Sequence, residues 1–467
     1  MITIEYLFAA KNREAVRFLL QLLGEGSVSI KHPSLDVETF PRASKRVGMA
    51  NVILFSDEHL NNHWYYIQVT KLIDGYYLSN KEFFNPRDMP DVLKVKQLID
   101  TKKLVFNLTS NSNQVDGLIF SQCRPYHYFY DQFVNYFKLS SFKNIDDYCF
   151  TDETCFYSQT PSMSFKSIVK PGCYFFPCTL PGNYHDNDAK KMHDFLKNNA
   201  EVKHLKSDFT LWIGITGQKR SWVEQVDGYI EIIKNLSDMY SSITIIVDGW
   251  TNYVNDSSFN IEDNEVYDLI REKFTSNEDI NFINLINKGY MSKVSYANNC
   301  DCFIANSGTG CMVPLLFSNI KGVIHGNGVL NTFKKIYNDN VYLVPKNKII
   351  SQQSKVIMVN SYSISWQVIF NLLMKVIGNK KQLNEPTQKM NSKLVFGNLS
   401  FSDTTKPADA LRDIALAFEA LGDKEMAYTL MCKALEQRPT GPVIKKKVSQ
   451  LKVEIEQGIQ NTKNKEI

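Results

Sequence analysis

Four short segments carry residues whose types and spacing could do chemistry. In ITGQKRSWVEQ an apolar strand ends at Ile215, and Lys219 and Arg220 stand just ahead of Ser221 and Glu224, an S-x-x-E pattern that predicts a capped helix start. Free N–H groups and the positive dipole end of a helix favour an anion, so two cations beside them point to phosphate. The plain alternative is a solvated loop, since Lys and Arg are common on surfaces. In CDCFIANSGTGCMVPLLF a strand runs into Ser307, Gly308, Thr309 and Gly310 and then a helix. Glycines let a phosphate approach the backbone, and the two hydroxyls can bond to it or cap the helix; a tight turn alone would use the same glycines. The segment lacks both GxxxxGK[ST] and GxGxxG, which favours neither ATP hydrolysis nor hydride transfer.

The third segment is RPYHYFYDQFVNYFKL. His127 and Asp131 stand four apart, hence on one helical face, and could share a proton or position a hydroxyl. Tyr126, Phe129, Tyr130, Phe133, Tyr136 and Phe137 make the same helix mostly core, where a histidine is commonly a packing residue. In PGNYHDNDAKKMHDFL, Asp186 and Asp188 form a D-x-D, a pair that can hold a divalent metal on a diphosphate. Its place just before a helix favours capping instead. His185 and His193 are too far apart for one helical face, so no metal site is expected. His127 and Asp131 are the candidate acid–base pair, with His185 or Asp186 in reserve.

The elements that must position these residues are legible as patterns. Between about residues 51 and 121, NVILF, WYYIQVT, LVFNLTS and GLIFS read as short strands. From Asp208 apolar strands (FTLWIGIT, ITIIVDGW, INFINLI, DCFIANS, GVIHG) alternate with helical stretches, which is what a parallel sheet with crossover helices requires. Residues 379–406 read as a polar linker or arm. Beyond it, PADALRDIALAFEALGDKEMAYTLMCKALEQRP resembles one tetratricopeptide unit, with VIKKKVSQLKVEIEQ as its cap. One capped unit forms no long groove, so a helical appendage is the simpler reading.

Composition narrows the function classes. With 53 Lys and Arg against 49 Asp and Glu, a net +4 over 467 residues implies no nucleic-acid partner. Nine cysteines without a CxxC pair fit a reducing compartment. MITIEYLFAAKNREAVRFLL reads as an amphipathic helix rather than a signal peptide, and no apolar run reaches about 18 residues, so a cytoplasmic protein is expected.

The two loops that open and close the strand–helix block resemble the nucleotide-binding half of bacterial GT-B glycosyltransferases, of the lipopolysaccharide heptosyltransferase type. The likeness covers about residues 208–378, and the chain departs from it in carrying His325 on the strand after the glycines. RPYHYFYDQFVNYFKL is similar to the Y-x-HW-x-x-D-type segment of some GT-B amino-terminal domains. The resemblance implies an α/β fold of two Rossmann-like domains in a GT-B arrangement with a tetratricopeptide-like appendage. The units would be 1–202 (acceptor), 203–378 (nucleotide-sugar), 379–406 (linker or arm) and 407–467 (helices). It implies transfer of a sugar from a nucleotide-sugar to a glycan or lipid-linked glycan acceptor in bacterial surface-polysaccharide synthesis. No cofactor or divalent metal is expected: Lys219, Arg220 and helix-start amides would neutralise the leaving phosphate, with Ser307, Gly308, Thr309 and Gly310 completing the pocket. Peripheral contact with the inner membrane, and a homo-oligomer or protein partner on the C-terminal helices, stay open. Two rivals remain: a non-catalytic tetratricopeptide-type scaffold, and another nucleotide-dependent enzyme, an epimerase or a non-sugar group transferase, on a GT-B-like body.

Overall fold

The computed structural model describes residues 2–106, 113–159, 165–168, 172–178, 186–201, 203–217, 220–327, 336–351, 361–386, 407–420, 424–439 and 442–463. The chain opens with α1 (Ile4–Ala9) and α2 (Asn12–Glu25), two helices broken at Ala10–Lys11 where one was expected. An antiparallel meander follows: β1 (Ile30–Lys31), β2 (Glu38–Val47), β3 (Ala50–Ser56), β4 (Trp64–Gln68), β5 (Gly75–Leu78) and β6 (Phe83–Phe84), paired in chain order. Gly48, at φ +59°, supplies the left-handed residue that lets β2 turn tightly into β3. After α3 (Pro90–Asp100) comes a short parallel sheet. Its strands β7 (Gly117–Ile119), β8 (Cys149–Thr151), β9 (Lys166–Ser167) and β10 (Tyr174–Phe175) lie in the order β10-β7-β8-β9. Between β7 and β8 runs one helical stretch: α4 (Pro125–His127), a π-turn (Tyr128–Phe133) and α5 (Val134–Ser140).

The amino-terminal half is therefore an antiparallel meander joined to a small parallel sheet, rather than a plain strand–helix alternation. The aromatic alternation of WYYIQ belongs to strands paired to immediate neighbours, which needs no crossover helix. LVF in LVFNLTS forms no strand; the rest of that run lies outside the described residues.

The second half begins, after α6 (Asn187–Asn199), with β11 (Phe209–Gly214), α7 (Gln225–Ser237), β12 (Ile243–Asp248), α8 (Ile261–Arg271), β13 (Ile280–Asn284), α9 (Tyr290–Ala297) and β14 (Cys302–Asn306). A 3₁₀ turn (Gly308–Cys311) and a second π-turn (Met312–Phe317) lead to β15 (Gly322–His325) and β16 (Val341–Leu343). All six strands are parallel, in the order β13-β12-β11-β14-β15-β16. This is the doubly wound order the strand–helix rhythm predicts. The pair β17 (Ile350–Ser351) and β18 (Tyr362–Ser363) precedes α10 (Trp366–Val376).

Period-two alternation makes this sheet two-faced. Phe209, Leu211 and Ile213 of β11 face a core with α7 and α10, whereas Trp212 joins a second core that continues through α2, the meander and the helical stretch 125–140. The weld is aromatic: Phe129 lies 4.7 Å from Tyr290 and 4.9 Å from Phe317, centroid to centroid. The C-terminal helices α11 (Pro407–Ala420), α12 (Lys424–Gln437) and α13 (Pro442–Lys463) pack on each other around Ala415, Ala427, Met431, Ala434, Ile444 and Leu451. No described helix is long and apolar enough to cross a membrane.

Candidate functional site

In a doubly wound sheet the crevice for ligands opens at the carboxyl ends of the strands where the winding reverses. Here the winding runs from β11 outward to β13, then returns to β14, so the reversal lies between β11 and β14. The β11 end leads to Thr216, Gly217 and Arg220; the β14 end leads to Ser307, Gly308, Thr309 and Gly310. The topology thus brings both sequence-identified loops to one crevice. Lys219 and His185 lie outside the described residues.

Each loop is held in place. The Gln225 amide clamps Thr216 from both sides, accepting from its N–H at 3.2 Å and donating to its carbonyl at 2.8 Å. Arg220 sits at φ +57°, a left-handed conformation costly for a residue with a Cβ, and among the described residues it forms no ion pair. Gly308 adopts φ +88°, and a Cβ on Gly310 would overlap the Asn306 amide oxygen. Those two glycines thus serve the turn itself. Gly310→Val is expected to lower the melting temperature by several degrees as well as to disturb any ligand, and a melting temperature equal to wild type would contradict this packing.

The expected S-x-x-E cap is not formed. Ser221 bonds the Ser361 hydroxyl at 2.8 Å, Val223 N–H donates to the Tyr362 carbonyl at 2.9 Å, and Glu224 accepts from Ser363, so α7 starts only at Gln225. Residues 221–224 pair with the 361–364 segment, and this contact outweighs the local capping preference. Asp186, by contrast, caps α6, accepting from Ala189 N–H at 2.8 Å.

Three buried charged groups that sequence reasoning missed fix the β12 end of the crevice. Lys293 on α9 is wholly buried, and its Nζ reaches Asp248 Oδ1 at 2.5 Å, the carbonyls of Gly249 and Trp250 at 3.0 and 3.2 Å, and Thr251 Oγ1 at 2.6 Å. Asp263 on α8 accepts from Gly217 N–H at 2.7 Å and Trp250 N–H at 2.6 Å, tying the loop after β11 to the loop after β12. Burial raises both carboxyls above the ordinary aspartate value, and these partners pull them back.

His325, at the end of β15, is part of the core. Its Nδ1 lies 2.8 Å from the Tyr362 hydroxyl, and the Tyr229 hydroxyl, 3.5 Å from its Nε2, donates to the Gly214 carbonyl at 2.8 Å. Burial pushes its pKa down from 6.5 to about 3, so the ring is neutral at neutral pH. Between those values the unfolded chain takes up a proton that the folded ring refuses. Stability from this group is complete above pH 6.5 and falls on acidification by roughly 1.4 kcal/mol per pH unit. His325→Gln should therefore flatten the loss of stability from pH 6.5 to 5, measured by urea denaturation; parallel slopes in variant and wild type would refute it.

His127 and Asp131 meet as their spacing predicts: Nδ1 and Oδ2 are 2.6 Å apart. Asp131 is buried on the π-turn, and His127 is partly exposed. Desolvation raises the Asp131 carboxyl, while His127 and the Arg87 guanidinium oppose the shift. Arg87 in turn pairs with Asp74, whose other oxygen gathers the N–H groups of Val69, Thr70 and Lys71 at 2.6, 2.8 and 3.0 Å. A carboxylate on Nδ1 holds the ring and leaves Nε2, which has no hydrogen-bond partner among the described residues, as the basic nitrogen. Through Phe129 against Phe317 this stretch packs on the turn that follows the glycine loop. Among the described residues no cluster of three or more His, Cys, Asp or Glu could hold a metal.

No protein-family model matches the chain, and no curated protein does. Among solved structures, a crystal structure of TarM aligns over 93% of this chain and 83% of its own at 10% identity, with a TM-score of 0.23. A likeness of that size carries no argument about fold or function.

Proposed function

We propose that the chain is a glycosyltransferase of GT-B-like organisation that moves a sugar from a nucleotide-sugar to a glycan or lipid-linked glycan acceptor in bacterial surface-polysaccharide synthesis. The observation that carries the reading is the winding reversal between β11 and β14, where the Arg220 loop and the Ser307–Gly310 loop arrive together. Arg220 with Lys219, and the amides and hydroxyls of the glycine loop, would hold the donor diphosphate and neutralise the charge that grows on it as the sugar leaves. The His127 Nε2, oriented by Asp131, would take the acceptor proton, with Asp186 in reserve. The reaction needs no further cofactor or divalent metal, because the nucleoside diphosphate is itself the leaving group.

A thermal-shift screen over UDP-, GDP-, ADP-, CMP- and dTDP-sugars tests this: one nucleotide class should raise the melting temperature. The scaffold reading draws on the separate core of α11–α13 and on Leu416, Met426 and Val453 exposed there. It would gain if no nucleotide shifted the transition and a protein partner did.

A further inference from the structure

A cavity of about 690 Å³ lies away from the β11–β14 crevice, bounded by Ile119, Thr151 and Ser167, the last residues of β7, β8 and β9. Phe165, Gly172 and Tyr174, at or just before the starts of β9 and β10, line it as well, so the cavity spans both ends of these short strands. Its volume suits a small organic molecule. The second half also contributes: Val254 and Asn255, from the loop after β12, form part of the wall, and Val254 N–H donates to the Cys155 carbonyl at 2.8 Å.

The lining chemistry is specific. Arg46 bonds the Ser121 and Gly48 carbonyls through its terminal nitrogens, yet its Nε is buried without a hydrogen-bond partner. That nitrogen has almost no accessible surface and lies out of a ligand's reach, so Arg46 acts on the cavity through its charge. The charged residues among the described lining are Lys45, Arg46, Asp152 and Glu153, two of each sign. The carboxylates oppose an anion, and the cations oppose a cation. Ser158 and Ser167 add hydroxyls and the Tyr174 ring adds an apolar surface, whereas Asn51 donates its amide hydrogens to Gln68 and the Tyr174 carbonyl and the Ser44 hydroxyl is held between the Gly172 carbonyl and the Tyr174 N–H. Hydroxyl groups, which both donate and accept, suit a wall of balanced charge and hydroxyls.

We propose that this cavity binds a neutral saccharide of one to a few units. The inference rests on the glycosyltransferase reading only for the role of the bound sugar, not for its binding. Arg46 is joined to the catalytic candidates through two residues: it bonds the Ser121 carbonyl, and Gln132 on the π-turn, next to Asp131, accepts from the Ser121 N–H at 2.8 Å and donates to the Ser121 carbonyl at 3.2 Å.

The test is saturation-transfer NMR on the full chain with glucose, galactose, N-acetylglucosamine, N-acetylgalactosamine and rhamnose, beside glucuronate and inorganic phosphate. At least one neutral sugar should bind, and Ser167→Trp, an exposed position at the mouth where a large ring blocks entry, should weaken it tenfold or more. Arg46→Met should do the same; if that variant fails to fold, Ser167→Trp decides. Absence of binding by all five neutral sugars overturns the proposal. So does binding that survives Ser167→Trp, or Ser167-dependent binding by the two anions alone. Nucleotide-sugar binding measured on the same samples separates the two readings: a nucleotide bound without any neutral sugar removes only this inference, and the converse removes only the donor assignment.

Discussion

Replacing Lys293 by Met should lower folding stability by about 3–5 kcal/mol, because it leaves Asp248 as a buried, unpaired carboxylate. The Gly249 and Trp250 carbonyls and the Thr251 hydroxyl lose the same donor, so the loop after β12 should loosen with it. Denaturant unfolding gives the stability. Hydrogen exchange at Trp250, whose N–H is held by Asp263, reports the loop. Adding Asp248→Leu to Lys293→Met should recover part of the loss, since the uncompensated charge is then gone. A single variant within about 1 kcal/mol of wild type would mean that the pair contributes little, against its full burial.

The largest effect on activity is expected at His127. If Nε2 removes the acceptor proton, His127→Ala should reduce turnover by roughly 10² to 10⁴ with donor affinity nearly unchanged. Asp131→Asn keeps the shape but removes the carboxylate that orients the ring, so it should lower turnover by less and shift its pH dependence. Melting temperature must be read beside turnover, because Asp131 is buried and Phe129 between the two residues belongs to the core. Near wild-type turnover in both variants would move the base elsewhere, with Asp186 next, although its bond to Ala189 N–H already occupies it as a cap.

Much of the second half was legible in the sequence. Runs such as ITIIVD and CFIAN are mostly apolar and buried almost from end to end because both faces of that sheet are covered, and helices of crossover length separate them. Their order places the Arg220 and Ser307–Gly310 loops together. The false helix start at Ser221 shows the limit: its hydroxyl is taken by Ser361, 140 residues away, a partner no local pattern announces. Lys293 did leave a trace, a single lysine three residues after Tyr290 and four before Ala297, on the apolar face of its helix. Arg46 left none, since the cavity walls come from strands of both sheets and a loop of the other half.

The most direct measurement is calorimetric titration of the full chain with the nucleotide-sugar class that stabilises it, repeated on a Lys219→Ala, Arg220→Ala double variant. Each charge-assisted bond to phosphate contributes about 1.5–3 kcal/mol, so the account predicts binding to wild type and an affinity at least 10²-fold weaker in the variant. Wild-type protein that binds no nucleotide-sugar, or a double variant that binds as tightly as wild type, would contradict it.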